Sequence, residues 1–358
     1  MNKLELYRRV GTTAQVFGIK DYRLIGGKAD AMRALELYNA AGVSLIVLPD
    51  RGMDIASLSC RGTNISFLSK TGLTNSTYFT EDGAKGFLKS FYAGFLTTGG
   101  LTYMGAADRD EGENLGLHGV VSNIPASEVC PYIEWNENKD NASIEVSGRV
   151  KQAQVFGEHI IMDRKITLQT DQNVFTIEDK IENLSFERTP FMILYHMNFG
   201  YPMLSPECEL LLPSMRIIPR DNAAREGLSE YLKITDPVDG YEEQVFFHEM
   251  VADKDGQVRY MLINRDLELG VEISYPAEQL THFTHWKSMR SGEYVLGLEP
   301  GNCHVMGRST ARMDGSLKYL EPGESRNIKI EVRIYEGADC INKARMKLTK
   351  DFSNIGLY

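Results

Sequence analysis

Strict alternation of apolar and polar residues over long stretches is the feature that most constrains this fold. In residues 142–150, ASIEVSGRV, Ile144 and Val146 lie on one face of an extended chain, and polar side chains occupy the other. Residues 174–183 and 325–335 alternate in the same way. A period of two is typical of antiparallel strands with one buried and one solvated face. The chain is therefore predicted to be rich in β-strands.

Turn signals are frequent in the chain and helix signals are sparse, which favours an all-β fold. Residues 44–69 are predicted to form short strands with breaks at Pro49–Asp50, Gly52 and Arg61–Gly62. Helical periodicity is clearest in two segments, 84–96 and 339–350. No linker or repeat divides the 358 residues. We therefore predict a single all-β domain over 1–358, built from two stacked sheets, with terminal extensions of about 40 and about 20 residues.

Charge and cysteine content limit the class of partner. The net charge is −10 and the pI about 5.3, which argues against nucleic acid as a partner, because phosphate binding needs clustered Lys and Arg. No stretch reaches the roughly 18 apolar residues of a membrane helix, and the start, MNKLELYRRV, lacks the apolar core of a signal peptide. Five widely spaced cysteines without a C-x-x-C motif indicate reduced thiols. We expect a cytoplasmic protein with no membrane partner, and a homodimer is compatible with the sequence.

Three polar side chains interrupt apolar or glycine-rich stretches and are the strongest candidates for chemistry. They are His118 in LGLHGVV, His196 in LYHMNFG and Glu299 in LGLEPGN. A carboxylate at the end of an apolar strand is costly to bury unless it is paired or in use. A His and a Glu can be tuned toward neutral pH as proton donor and acceptor. Considered alone, a residue of this kind is more often a hydrogen-bonded residue at a strand end or in a turn than a catalytic one.

Four further residues are candidates for binding. Arg51 and Asp54 lie beside Gly52 in LPDRGMDI, where the arginine fork could donate to sugar hydroxyls or a carboxylate, or form an exposed ion pair in a turn. Trp286 in HFTHWKSM could stack on the apolar face of a sugar or pack in the core. Asn198 follows His196 by two residues.

Metal binding is the rival use of the histidines. A mixed ligand set is chemically possible, made of His118, His196, His248 and Glu299. His282 and His285 would point to opposite faces of a strand, and the chain has no H-E-x-x-H motif. The sequence is therefore interpreted as having no metal and no cofactor.

Several stretches resemble one known family. Residues 176–202, TIEDKIENLSFERTPFMILYHMNFGYP, resemble the central stretch of aldose 1-epimerases (galactose mutarotases), where a strand delivers a catalytic histidine. LGLHG, LGLEPGN and YLEPGESRNIKIEVRIY resemble their second active-site histidine, their catalytic glutamate strand and their closing strand. Together with LPDRGMDI and THWKSM, these stretches resemble the less characterised branch called DUF4432. The resemblance covers roughly residues 40–335.

The resemblance implies a galactose mutarotase-like β-supersandwich with few short helices that binds a carbohydrate without a cofactor. His196 would be the general acid at the ring oxygen, and Glu299 the general base at the anomeric hydroxyl. The substrate-binding residues would be His118, Arg51, Asp54, Asn198 and Trp286. We expect an isomerase that interconverts the anomers of a free sugar or sugar derivative. The alternatives are a carbohydrate-binding protein without turnover, and a metal-assisted isomerase or lyase acting on an oxidised sugar.

Overall fold

A computed structural model describes residues 2–353, most of which lie in two large antiparallel sheets. The first, here called the site sheet, has eleven strands among these residues. Ten follow one another in the spatial order Gly18–Arg23, Arg33–Tyr38, Val43–Leu48, Asp54–Cys60, Leu96–Leu101, Met192–Phe199, Glu293–Gly301, His282–Arg290, Gln244–Met250 and Ser214–Pro219. The short strand Thr63–Asn64 pairs with Asp54–Cys60. Part of the N-terminal segment expected as an extension thus forms one edge of this sheet.

The second sheet, here called the back sheet, has eight strands within the described residues. Their spatial order is Ser127–Trp135, Ala142–Ala153, His159–Gln169, Val174–Asn183, Ser325–Glu336, Leu269–Pro276, Gln257–Asn264 and Cys208–Leu211. Three strand pairs are separate from both sheets: Asp108–Asp110 with Glu113–Leu115, Thr189–Pro190 with Tyr319–Leu320, and Phe67–Leu68 with Ala93–Gly94.

Helices are short except for the last one. The α-helices of residues 2–353 are Lys3–Tyr7, Gly83–Leu88, Asn222–Glu226, Arg308–Met313 and Ala338–Ser353. Single 3₁₀ turns occur at Thr13–Gln15, Gly27–Ala29, Ser76–Tyr78, Val121–Asn123 and Leu228–Glu230. In this part of the chain, no helix is both long and apolar enough to cross a membrane.

The two sheets stack face to face around one large core. Ile144 and Val146 of the back sheet belong to the same buried cluster as Met197 and Leu298 of the site sheet. Burying the inner face of each strand removes apolar area from water, which is the main stabilising contribution to such a sandwich. The opposite face of the site sheet is left to carry polar side chains.

The alternation-based predictions are confirmed, and one helix prediction is partly wrong. Strands cover the predicted stretches as Ala142–Ala153, Val174–Asn183 and Ser325–Glu336. The terminal helix is confirmed as Ala338–Ser353. The helix predicted over 84–96 ends at Leu88.

The physical reason for this early end lies in the backbone. Ala93 and Gly94 have positive φ values of 66° and 70°, which a right-handed helix cannot contain. A strand, Leu96–Leu101, begins two residues later. The buried aromatic residues of this segment therefore reflect tertiary packing rather than one helical face.

Candidate functional site

His196 and Glu299 lie side by side on neighbouring strands of the site sheet. The register pairs Leu194 with Gly301 and Met197 with Leu298, which places the histidine beside the glutamate. The distance from His196 Nε2 to Glu299 Oε1 is 3.2 Å, and the two residues are only 6% and 2% exposed. Glu299 Oε1 nevertheless has no partner with hydrogen-bond geometry. The two side chains are thus in contact but are not locked together by a well-formed hydrogen bond.

Burial sets the protonation of this pair. Burial, and then the charge of Glu243, raise the pKa of Glu299 well above its ordinary value, and Arg220 opposes this shift. Burial, followed by the neighbouring His118, lowers the pKa of His196 to about 3. The distance alone would suggest an ion pair, but a buried site disfavours both charges. Burial therefore favours the neutral form of each side chain, a protonated carboxyl group on Glu299 and an uncharged imidazole on His196.

The strand that carries His196 is anchored from the inner face of the sheet. Tyr195 points the opposite way and donates its hydroxyl to Asp179 Oδ2 at 2.6 Å. Arg164, fully buried, pairs with Asp179 at 2.6 Å and with Asp54 at 3.0 Å. Because breaking a buried charge network is costly, these contacts between the sheets hold the strand Met192–Phe199 in a fixed position within the site sheet.

Aromatic rings surround the His196 side chain. The rings of Phe91, Trp286 and His118 have their centroids 5.2, 5.3 and 5.9 Å from that of His196. Phe87 stacks on Phe91 at 4.7 Å and meets His118 edge-on at 4.9 Å. These rings cover His196 and Glu299 and provide flat apolar surfaces.

His118 reaches the site from a tight loop. Its φ is +59°, and the following Gly119 has φ +75° with a Cβ position that would collide with the carbonyl oxygen of Gly100. Only glycine allows the loop to pass so close to the sheet. Burial, and then the charge of Arg220, lower the pKa of His118 to about 4, so its ring is neutral.

Polar atoms around the pair are left without partners inside the protein. By register, Thr284 lies opposite Glu299, and Asn198 follows His196 on the same face of its strand. Buried atoms with no hydrogen-bond partner include His118 Nδ1, His196 Nδ1, Asn198 Oδ1, Thr284 Oγ1 and Glu299 Oε1. Buried polar groups are normally satisfied, so a cluster of free ones indicates a place for a polar ligand.

Trp286 is oriented by a polar pair that the sequence did not reveal. Its Nε1 donates to Glu243 Oε2 at 2.8 Å, and Arg220 Nη2 donates to Glu243 Oε1 at 3.1 Å. Arg220 follows the strand Ser214–Pro219, and no local pattern marks it as functional. Arg220 can be identified as a site residue only from the order of the strands in the sheet, which brings residues 220, 243 and 286 together.

Gly297 makes room for the carboxyl group of Glu299. A Cβ on this residue would lie 2.5 Å from Glu299 Oε1 and 3.1 Å from the ring of Trp286. The two residues share a strand face because they are two apart. Gly297 therefore forms the floor between the carboxyl group and the indole ring.

The structure does not bring Arg51 and Asp54 to this cluster. Arg51 is buried, and it donates to the backbone carbonyl oxygens of Ser122 at 2.7 Å, Ser90 at 3.3 Å and Thr74. Its guanidinium also lies over the Tyr92 ring. The expected sugar contact by Arg51 is therefore corrected: its fork joins three loops instead.

Asp54 is likewise committed inside the protein. It accepts from the backbone N and the Oγ1 of Thr98 and pairs with Arg164. Burial raises the pKa of Asp54 to about 6, and the charge of Arg164 works against that rise. Neither an exposed turn ion pair nor a sugar contact describes this residue, because it is 0% exposed.

The mixed ligand set proposed for a metal is not assembled. His248 points to the other face of the site sheet, where it packs against Phe283 and His285. Among residues 2–353, no three His, Cys, Asp or Glu side chains are arranged to hold a metal ion. The metal hypothesis thus loses the residue set on which it rested.

Comparisons with solved structures identify the fold. A provisionally named aldose 1-epimerase from Klebsiella pneumoniae subsp. pneumoniae MGH 78578 matches with a TM-score of 0.89 at 23% identity, over 98% of this chain and 91% of that one. A galactose mutarotase-like protein from Clostridium acetobutylicum matches with a TM-score of 0.63 at 14% identity, over 90% and 100% of the chains. The galactose 1-epimerase of Lactobacillus acidophilus NCFM matches with a TM-score of 0.57 at 11% identity, over 90% and 99%. The predicted supersandwich is confirmed.

Sequence comparison gives the family. No curated protein sequence matches the chain. One family model, described as a domain of unknown function, DUF4432, matches residues 29–334. This span includes every residue of the cluster described above and, apart from the edge strand Gly18–Arg23 and the last two residues of Ser325–Glu336, both large sheets. The chain therefore belongs to the DUF4432 family, with the fold of the galactose mutarotases.

Proposed function

We propose that this protein is an aldose 1-epimerase that interconverts the anomers of a free sugar, with His196 and Glu299 as its proton-transfer pair. The observation that carries the proposal is their contact at 3.2 Å in a buried, aromatic-lined setting. A protein that only binds sugar has no need for a buried carboxylic acid beside a neutral imidazole. Such a pair is costly unless it is used.

The geometry suits the reaction because both reacting oxygens are bonded to one carbon. In ring opening, a base removes the proton of the anomeric hydroxyl O1 while an acid protonates the ring oxygen O5. The bond from C1 to O5 breaks, and O1 becomes the carbonyl oxygen of the open aldehyde. Rotation about the C1–C2 bond and reclosure give the other anomer. Donor and acceptor must therefore lie close together, and the position of His196 and Glu299 on neighbouring strands supports these roles.

The directions of the two pKa shifts support one choice of starting roles. The resemblance implied His196 as the acid, whereas burial disfavours the protonated form of His196 and, by raising the pKa of Glu299, favours its protonated form. We therefore assign Glu299 as the donor to O5 and His196 as the acceptor from O1 in ring opening. Ring closure reverses both transfers, so each residue is donor in one half of the cycle and acceptor in the other. The pair needs no net proton from solvent.

The remaining groups of the cluster are proposed to hold the sugar. The ring of Trp286 offers an apolar surface, and the free atoms of His118, Asn198 and Thr284 can pair with hydroxyl groups. Arg220 and Glu243 would contribute a donor and an acceptor at the edge of the site. Arg51 and Asp54 are left out of this set because their polar atoms are already used.

The test is mutarotation of freshly dissolved single anomers, followed by polarimetry or NMR across a panel of aldoses, with the spontaneous rate subtracted. We expect the wild-type protein to speed at least one sugar, and His196→Asn to lose about 10²–10⁴-fold in kcat. His159→Asn, on the back sheet, is the matched control and should keep full activity. Sugar binding without any acceleration would instead favour the carbohydrate-binding alternative.

A further inference from the structure

Two fully exposed phenylalanines lie on neighbouring loops of the back sheet. Phe156 is at the tip of the hairpin that joins the second and third strands of this sheet, and Phe186 is in the loop after its fourth strand. The backbone N of Leu184 donates to the carbonyl oxygen of His159 at 2.8 Å, which ties the two loops together. Phe156, Leu184 and Phe186 line one groove of about 620 Å³. With the exposed Val155, they form an apolar surface here called the loop patch.

The backbone at Phe156 has a conformation that disfavours phenylalanine. Its φ is +60°, in the left-handed region that glycine, asparagine and aspartate adopt most readily. Because the ring is fully exposed, packing within the chain does not compensate for this cost. A residue that breaks a local rule without a gain for its own fold is expected to have a function.

The loop that carries Phe186 is held in place from below. Asn183 is buried, and its Nδ2 donates to the carbonyl oxygens of Glu187 and Leu320, both at 2.9 Å. Its Oδ1 accepts from the backbone N of Ser185 at 3.0 Å. The ring of Phe186 is thus presented outward by a fixed backbone, which lowers the entropy cost of binding a partner.

The apolar area of the loop patch matches what a homodimer requires. An interface of standard size buries about 800 Å² on each partner. About 65% of a homodimer interface is apolar, which corresponds to about 520 Å² on each partner. Two phenylalanine side chains can bury about 300–500 Å² together. Val155 is 79% exposed and Leu184 is 38% exposed, so these two side chains supply the rest.

Shape and charge favour a second copy of this chain as the partner. The loop patch combines projecting rings with a groove, so a two-fold axis can place the rings of each copy in the groove of the other. The groove carries charges of both signs, from Glu111, Glu113, Glu187, Arg188, Arg308 and Arg312. Nucleic acid or an anionic membrane would instead meet these glutamates and a chain of net charge −10.

We propose that the loop patch is the interface of a symmetric homodimer, in which Phe156 and Phe186 of each copy pack against the other copy. No residue of the catalytic cluster is among the described residues that line the groove. The inference therefore goes beyond the proposed function and does not depend on it.

The test is the oligomeric state of the full chain, measured by analytical ultracentrifugation from nanomolar to high micromolar concentration. We expect wild type to form a dimer of about 81 kDa, twice the 40.3 kDa of the chain. The double variant Phe156→Asn, Phe186→Ser should raise the dimer dissociation constant at least about 30-fold, as expected for the loss of aromatic anchors. Asparagine tolerates the left-handed conformation, so the hairpin should still fold, which circular dichroism checks. Ile25→Asn, which removes a similarly exposed apolar side chain after the edge strand Gly18–Arg23, is the matched control and should leave the dimer unchanged.

Amide hydrogen exchange gives a second measurement of the same interface. Exchange at residues 154–158 and 184–188 should slow as the concentration of wild-type protein rises, but not in the double variant. A wild-type monomer at every concentration, a dimer that the double variant forms equally well, or an equal loss in Ile25→Asn would overturn the interface. A monomer that binds phosphatidylcholine vesicles through Phe156 and Phe186 would also overturn it, and would assign the loop patch to a membrane surface.

Discussion

Gly297→Ala should lower catalysis strongly while leaving the fold nearly intact. The added Cβ would lie 2.5 Å from Glu299 Oε1, about 1 Å inside an ordinary contact. The carboxyl group is the far end of a flexible side chain, so it can move by that amount at little cost in stability. A displacement of about 1 Å of a reacting group can cost about 10²-fold in rate, or about 2.7 kcal/mol of activation free energy.

The assay is kcat for mutarotation on the best substrate, together with Tm from thermal unfolding. We expect about 10²-fold lower kcat for Gly297→Ala and a change in Tm of only a few degrees. Gly11→Ala is the matched control, because nothing lies within 4 Å of the Cβ that it adds. An unchanged kcat in a folded Gly297→Ala protein would show that the carboxyl position described here does not govern the reaction.

Three further predictions follow from the same contacts. Trp286→Ala should raise KM more than it lowers kcat, because stacking on the sugar stabilises the ground and transition states alike. Trp286→Phe keeps an aromatic ring but loses the hydrogen bond to Glu243, so it should raise KM less. An unchanged KM for both variants would remove Trp286 from the site. Arg51→Met should lower the free energy of unfolding in urea by about 2–5 kcal/mol, since it leaves the buried carbonyl oxygens of Ser122 and Thr74 without their donor, and it should change KM of the folded protein by less than about three-fold. A large rise in KM would restore Arg51 as a sugar ligand. Burial lowers the pKa of His248 to about 3 in the folded chain, whereas in the unfolded chain it is about 6.5. Between these two values the unfolded chain binds a proton at His248 and the folded chain does not, so the free energy of unfolding decreases as the pH falls from about 6.5 to about 3. At pH 5 this loss is about 2 kcal/mol, and urea unfolding of His248→Phe at pH 8 and pH 5 should show a pH dependence smaller by that amount; an identical dependence would contradict the burial account.

The strands could be predicted because the alternation of apolar and polar residues within each one shows which of its faces is buried. Ile144 and Val146 alternate with polar neighbours, and the structure buries that apolar face against core residues of the site sheet. The segment 84–96 misled the prediction because Phe87 and Phe91 have helical spacing. Periodicity reports which side chains are buried, but it carries no information about a backbone that turns at Ala93. Tertiary contacts decided that segment.

The site was predictable where a polar or aromatic residue interrupts its local pattern in a stretch that also resembles a known family. His196, Glu299 and Trp286 were named from their local sequence context and received roles from the resemblance, and the structure brings them together. Arg51 and Asp54 looked like an exposed turn because their partners lie far along the chain. The carboxylate of Asp54 pairs with Arg164, 110 residues away.

Arg220 and Glu243 could not be found from the sequence for the same physical reason. Each lies beside Trp286 only because the sheet places the strands His282–Arg290, Gln244–Met250 and Ser214–Pro219 next to one another. Charged residues near strand ends are common on any protein surface. Only the strand order distinguishes these two from the rest.

The central claim is that Glu299 exchanges a proton with the sugar, and Glu299→Gln tests it most directly. The amide keeps the shape of the side chain but cannot carry the exchangeable acid proton. The measurement is the rate of mutarotation of the best substrate by wild type, Glu299→Gln, His196→Asn and the double variant, by NMR with the spontaneous rate subtracted. We expect each single variant to lose about 10²–10⁴-fold in kcat, and the double variant to lose less than the product of the two. Acceleration by Glu299→Gln equal to that of wild type would contradict the account at its centre.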